Sequence, residues 1–207
     1  MEGGCSGKVV IDTTTNHFEE VNEFHDALRG ADGAYLESPV AGSTIPASQG
    51  NLMVMVSGEQ WAYEKALPYL EKIGKSIFYL GTPTLAIKMK LINNMLLGSF
   101  VVAIAEALTL GEAAGLDKQR VLDILPAGAG NSAVLASKEA ELLSRDFSPH
   151  FSSAMMYKDL HYLQDLASAL RRPLFSGSTA KELFGMSFLK GLGDQDLSAV
   201  YRVLEER

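Results

Sequence analysis

The sequence predicts an α/β domain followed by an all-α domain, the two joined by a long interdomain helix. Three observations predict this. Up to residue 80, short runs of β-branched and aromatic residues alternate with amphipathic segments, the pattern of a mixed or parallel α/β sheet. Beyond residue 80 every periodic segment repeats at three to four residues, as helices do. Between the two lies residues 81–115, GTPTLAIKMKLINNMLLGSFVVAIAEALTLGEAAG, long and almost uncharged in its second half. The expected domains are therefore 1–80 and 81–207.

Taken in order, KVVID at 8–12 reads as a short buried strand and TTTN at 13–16 as a polar turn. Residues 18–28 form an amphipathic helix ending near Gly30. GAYLES at 33–38 is a second strand, 39–50 a loop rich in Gly, Ser and Pro, and NLMVMVS at 51–57 a third strand. Residues 60–73 are a helix closed by Gly74, and SIFYL at 76–80 is a fourth strand. In the long helix, Thr82 suits the N-cap, Pro83 the first helical position and Gly115 the stop. Leu85, Met89, Ile92 and Leu96 mark its period. At 1.5 Å per residue it would span roughly 45–50 Å. After Met95 it is apolar nearly all round, which predicts burial on most faces. Its uncharged run, 91–105, contains two asparagines and falls short of the roughly 18 residues of a membrane span. Helices are expected again at 118–125, 132–143, 154–170, 178–190 and 196–205. A glycine-rich turn at 127–131 and a loop at 144–153 with Phe147 and Phe151 separate them. Two lobes on one helix predict a cleft for a small ligand.

Composition narrows the function. The chain has 207 residues, 47% of them hydrophobic, and a net charge of −7 with no basic run, which argues against a nucleic-acid surface. Cys5 is the only cysteine, so no internal disulfide or zinc knuckle is expected, and no metal site. The start, MEGGCSGKVVID, is not a charged-then-apolar leader, and a cytoplasmic setting is expected. No strand–GxGxxG–helix unit is present; Gly128-Ala129-Gly130 and Gly191-Leu192-Gly193 lack its spacing and sit among helices. Near the start of the long helix, Lys90 stands three residues from Asn93 and four from Asn94, so all three can share one face. An ammonium beside carboxamides can act as an acid with an oxyanion clamp. On spacing alone the commoner case is a snorkelling lysine beside asparagines that bond neighbouring backbone.

Six ordered motifs carry a resemblance to a known family. VVIDTTT is similar to a VDxST turn, LESPVAGS to a D/E-A-P-V-S-G substrate loop, and KLINN to a KxxNN catalytic motif. IAEALTLGEAAGLD follows it, FSPHFSSAMMYKDL resembles an F-x-KDL segment, and DQDLSAV a D-x-D-x-S-A signature. Together they resemble the β-hydroxyacid dehydrogenase family, the group of 3-hydroxyisobutyrate dehydrogenase and glyoxylate/succinic semialdehyde reductase. The resemblance covers essentially the whole chain and implies a member lacking the N-terminal GxGxxG half of the Rossmann domain.

The resemblance implies that Lys90 is the catalytic acid and base, that Asn94 holds substrate or orients the lysine, and that Asn93 beside it is a substrate contact. Lys88 is a nearby second ammonium, expected to be solvated, its other reading being that it takes the place of Lys90. Thr15 would contact the cofactor or substrate, its other reading being a helix cap. Lys158 would approach the cofactor, its other reading being an ion pair on its own helix. Asp196 is expected to be structural, closing the C-terminal end. The substrate loop maps onto Ala41, Gly42 and Ser43, with Ala41 standing where the family pattern has serine. A G-x-x-G-x-G pattern before the lysine is Gly81, Thr84 and Ala86 here. The implied cofactor is NADP or NAD, the substrate a small hydroxyacid or semialdehyde, and the state a homodimer or larger, with no nucleic-acid or membrane partner. A second expectation, from the absent fingerprint and Ala41, is a catalytically silent family remnant serving as an oligomerisation module.

Overall fold

The alternating first part of the sequence folds as a mixed five-stranded sheet in the computed structural model, which describes residues 4–205. The strand Val9–Asp12 (β1) leads through the amphipathic helix Phe18–Arg29 (α1) to Ala34–Glu37 (β2). β1 and β2 are parallel and in register, Val9 beside Ala34 and Asp12 beside Glu37. Residues 39–50, expected as a loop, contain a two-residue strand, Val40–Ala41 (β3), and a short helix, Thr44–Ser48 (α2). The strand exists because its backbone pairs antiparallel with Leu52–Ser57 (β4), Val40 facing Val54 and Ala41 facing Met53. Nothing in the local pattern of two residues announces such a partner.

The helix Gln60–Ile73 (α3) follows, and Gly74–Gly81 (β5) runs parallel to β4. α3 lays Ala62, Ala66 and Leu70 on Ala34, Leu36, Val54 and Val56. Small residues at 62 and 66, one helical turn apart, let the helix approach the sheet closely. Helix and strand abut at Gly74, where a Cβ would sit 2.5 Å from the Leu52 carbonyl oxygen. β5 starts two residues before the SIFYL run because Gly74 pairs with Leu52.

The long helix is Leu85–Ala113 (α4), 29 residues and so about 43 Å long. The expected Thr82 cap is corrected: Thr82 and Pro83 lie in the turn before the helix, and Thr84 has φ +70°. Thr84 occupies a position where the family pattern has glycine, and its backbone keeps the left-handed conformation that glycine adopts most readily. The N–H groups at the helix start end instead on side chains from the sheet. Glu37 accepts from Thr84 N and Ile87 N, and Ser57 Oγ accepts from Ala86 N.

Burial on most faces after Met95 is also corrected, since Leu96, Phe100 and Leu110 are exposed there. Leu85, Met89, Ile92, Leu96 and Phe100 form a stripe along one side, each between 41% and 49% exposed. By length and composition α4 is apolar enough to cross a membrane, and 44% of its most apolar stretch is buried inside the fold.

Contacts divide the chain into two compact units, residues 1–92 and 93–207. The second contains, after its part of α4, the helices Lys118–Ile124 (α5), Ala133–Ser144 (α6), Ser153–Ala169 (α7), Phe175–Leu189 (α8) and Tyr201–Leu204 (α9). 3-10 turns precede α9 and follow α5. α4 comes close to α7 and α8 at Gly98, where a Cβ would stand 3.1 Å from the Met156 sulfur and 3.2 Å from Leu160. The unit's polar hub is Asp196, fully buried before the last 3-10 turn. Its carboxylate accepts from Lys138 Nζ, Ser198 N and Oγ, and the backbone N–H groups of His150 and Phe151. One side chain thus ties α6, the 144–153 loop and the C-terminal turn together, the structural role expected of it.

Candidate active site

The turn after β1 is built around Asp12. Its carboxylate accepts from Thr14 N and Oγ1 at 2.8 and 2.6 Å, Asn16 Nδ2 at 2.9 Å and the Tyr35 hydroxyl at 2.5 Å. Burial pushes this carboxyl up, but the hydrogen bonds from Thr14, Tyr35 and Asn16 outweigh it and hold it below the usual range. Burial and the same pairing push the Tyr35 phenol well up. The result is a rigid polar turn carrying the half-buried Thr15. Thr15 does not cap α1; His17 does, its Nδ1 accepting from Glu19 N.

Ala41, Gly42 and Ser43 form the bend between β3 and α2. Gly42 has φ +127°, and a Cβ there would lie 2.6 Å from Leu52 Cδ2. Both the conformation and the contact call for glycine. Gly42→Ala is expected to cost about 1–3 kcal/mol from backbone strain alone, measured by urea denaturation, with the bend displaced. Ser43 stands at the N-cap of α2 without a side-chain capping bond, and Ala41 contributes only backbone to the β3–β4 pairing.

Lys90 lies on α4 with 9% exposure. The neighbouring Lys88 is used differently, its Nζ 5.9 Å from the centre of the Phe18 ring, a weak cation–π contact. One turn beyond Lys90, Asn94 is fully buried. Asn94 Nδ2 donates to Asp159 Oδ2 at 2.7 Å, and Asn94 Oδ1 accepts from Asn93 Nδ2 at 3.2 Å. Asp159 Oδ1 in turn pairs with Lys158 Nζ at 3.2 Å. Lys158 is partly exposed and stands over the Tyr162 ring at 5.3 Å.

The structure therefore links Asn93, Asn94 and Lys158 through Asp159. Sequence reasoning singled out three of the four and missed Asp159, which sits inside the MMYKDL segment directly after the lysine. The signal was present, an acid beside a candidate lysine, but its partner is 65 residues away. Thr15, Lys90 and residues 41–43 belong to the first unit, and Asn93, Asn94 and Lys158 to the second; α4 carries both Lys90 and Asn94. Among the described residues no cluster of His, Cys, Asp or Glu side chains could hold a metal ion.

Two family models match. Residues 86–204 match "NAD-binding of NADP-dependent 3-hydroxyisobutyrate dehydrogenase". Residues 1–81 match "NAD binding domain of 6-phosphogluconate dehydrogenase". The chain is 33% identical over 205 residues to glyoxylate/succinic semialdehyde reductase 1 of Arabidopsis thaliana, covering 99% of this chain and 71% of that protein. It is 34% identical over 202 residues to the cytokine-like nuclear factor N-PAC of Mus musculus, covering 98% of this chain and 37% of that protein. Among solved structures, a 3-hydroxyisobutyrate dehydrogenase from Salmonella typhimurium superposes with a TM-score of 0.88 at 30% identity, covering 94% of this chain and 69% of that one.

Proposed function

This chain belongs to the β-hydroxyacid dehydrogenase family, and from that premise we propose that it interconverts a small 3-hydroxyacid and its semialdehyde or oxoacid. The observation that carries the proposal is Lys90. Lys90 is 9% exposed on a largely apolar helix, and the first turn of that helix is anchored by buried polar side chains.

In the reductive direction Lys90 gives a proton to the carbonyl oxygen and its charge stabilises the alkoxide as it develops. In the oxidative direction the neutral amine takes the hydroxyl proton. Asn94, with one amide hydrogen held by Asp159, keeps a second to hold a substrate oxygen, and Asn93 assists. Residues 41–43 receive the substrate carboxylate. Ala41 supplies no hydroxyl, so Gly42 N–H and Ser43 take that task.

NADP or NAD, when bound, supplies or accepts the hydride. Thr15, on the turn that Asp12 holds, and Lys158 are assigned to it. The glycine loop that grips a pyrophosphate is absent from this sequence. Ala41, which supplies no hydroxyl to the substrate loop, favours a second reading, a catalytically silent member kept for oligomerisation. Fluorescence titration with NADPH and NADH separates the two: saturable binding supports the enzyme, and none at millimolar cofactor supports the silent member.

Both readings include self-association. The stripe from Leu85 to Phe100 fits a second copy of this chain, giving a homodimer or larger. Light scattering at micromolar concentration is expected to give at least twice the chain mass, and a clean monomer would contradict it. A cytoplasmic location without membrane or nucleic-acid partners completes the proposal, supported by the net charge of −7 and the anchored start of α4.

A further inference from the structure

We propose that Glu37 is the positioning residue for Lys90; the proposal rests on Lys90 being the acid of the reaction above. The start of α4 is held by side chains from the sheet. Thr84 is left-handed, and the N–H groups of Thr84, Ala86 and Ile87 bond to side chains 29 to 50 residues away. Two of the three end on the Glu37 carboxylate, with Ile87 N at 2.8 Å from Oε2. Ser57 Oγ takes the third at 3.0 Å.

Glu37 is 2% exposed and Ser57 fully buried, so water does not substitute for either. His25, also buried, faces the same carboxylate with Nε2 3.5 Å from Oε1. Its ring stands edge-on to Tyr35 at 5.0 Å, which holds it there.

Ile87 is three residues before Lys90. Helical side chains lean toward the N-terminus and cover the preceding turn, so the Lys90 stem lies over the turn that Glu37 and Ser57 hold. An anionic acceptor at a helix start also complements the helix dipole. Glu37 therefore sets the rotation and register of the turn beneath the ammonium, from the end of β2, through LESPVAGS. That segment would then have two duties, one for substrate and one for the lysine.

The test is competitive labelling of the full chain with acetic anhydride from pH 6 to 10, read at each lysine by mass spectrometry, beside amide exchange. In Glu37→Gln, exchange at residues 84–87 is expected to rise about tenfold, the loss of one ordinary hydrogen bond to a charged group. The Lys90 labelling profile is expected to rise several-fold, because the turn that carries the ammonium loosens and exposes it. Lys158 keeps its profile, and Glu37→Asp restores part of both changes. A folded Glu37→Gln chain whose exchange rises while the Lys90 profile stays put would make Glu37 a plain cap and overturn the proposal. Should Glu37→Gln not fold, Ser57→Ala must shift exchange and the Lys90 profile in the same directions, and no shift overturns it. None of these readouts needs turnover. If turnover proves independent of Lys90, the catalytic reading fails on that ground alone and the labelling result stands apart from it.

Discussion

Replacing Asp196 by alanine is expected to cost about 3–5 kcal/mol of folding stability, the penalty for removing one partner of a buried ion pair. Lys138 is left buried beside the hole, its Nζ having stood 2.9 Å from Asp196 Oδ1. Glu141, 3.5 Å from the same Nζ, offsets part of the loss and places the result toward the low end. The backbone N–H groups of His150, Phe151 and Ser198 lose their acceptor as well. Urea unfolding followed by circular dichroism measures it; a loss below about 1 kcal/mol, within the range of exposed pairs, would mean that Asp196 is not the hub.

The same group gives an acid limb to stability. Burial pushes the Asp196 carboxyl up, but the Lys138 and Ser198 bonds outweigh it and hold it below its ordinary 3.8. The forked bond to Arg145 brings Glu205 down from 4.5 to about 2. Both carboxyls bind protons more weakly folded than unfolded. Their stabilisation is therefore complete above pH 4.5, and Glu205's is lost as pH falls toward about 2. Unfolding midpoints from pH 6 to 2 are expected to fall on that limb, with a shallower fall in Asp196→Asn.

What the sequence revealed divides by range of interaction. α3 is legible to the residue, Gln60–Ile73, because an amphipathic period and a terminal glycine are local signals. α4 is legible as a long helix, but not its start, since its cap is a carboxylate 47 residues upstream. β3 is invisible because two residues become a strand only through Val54 and Met53. The site divides the same way. Lys90, Asn93 and Asn94 stand out by spacing and by resemblance. Asp159 does not, because its role is to orient an amide on another helix. The exposure of Leu96, Phe100 and Leu110 on α4 is not legible, because composition reports how apolar a helix is, not how much of it one chain can cover.

The largest expected effect on chemistry is at Lys90. Removing a positioned general acid costs about 10²–10⁴-fold in rate, and no neighbour replaces it. Lys88 lies two residues away, its ammonium held toward the Phe18 ring. Lys158 is engaged with Asp159 and Tyr162. Lys90→Met is expected to lower kcat by that factor with little change in KM, since a proton given in the transition state contributes little to ground-state binding. Lys88→Met is expected to stay near the parent.

The measurement that tests the central claim most directly is turnover of succinic semialdehyde and glyoxylate with NADPH and NADH by this 207-residue chain, beside Lys90→Met. Cofactor oxidation that falls about 10²–10⁴-fold in the variant is the expected result for a positioned acid. Turnover that survives the substitution, or cofactor that neither binds nor reacts at millimolar concentration, would contradict it and leave the family membership a statement of ancestry and fold.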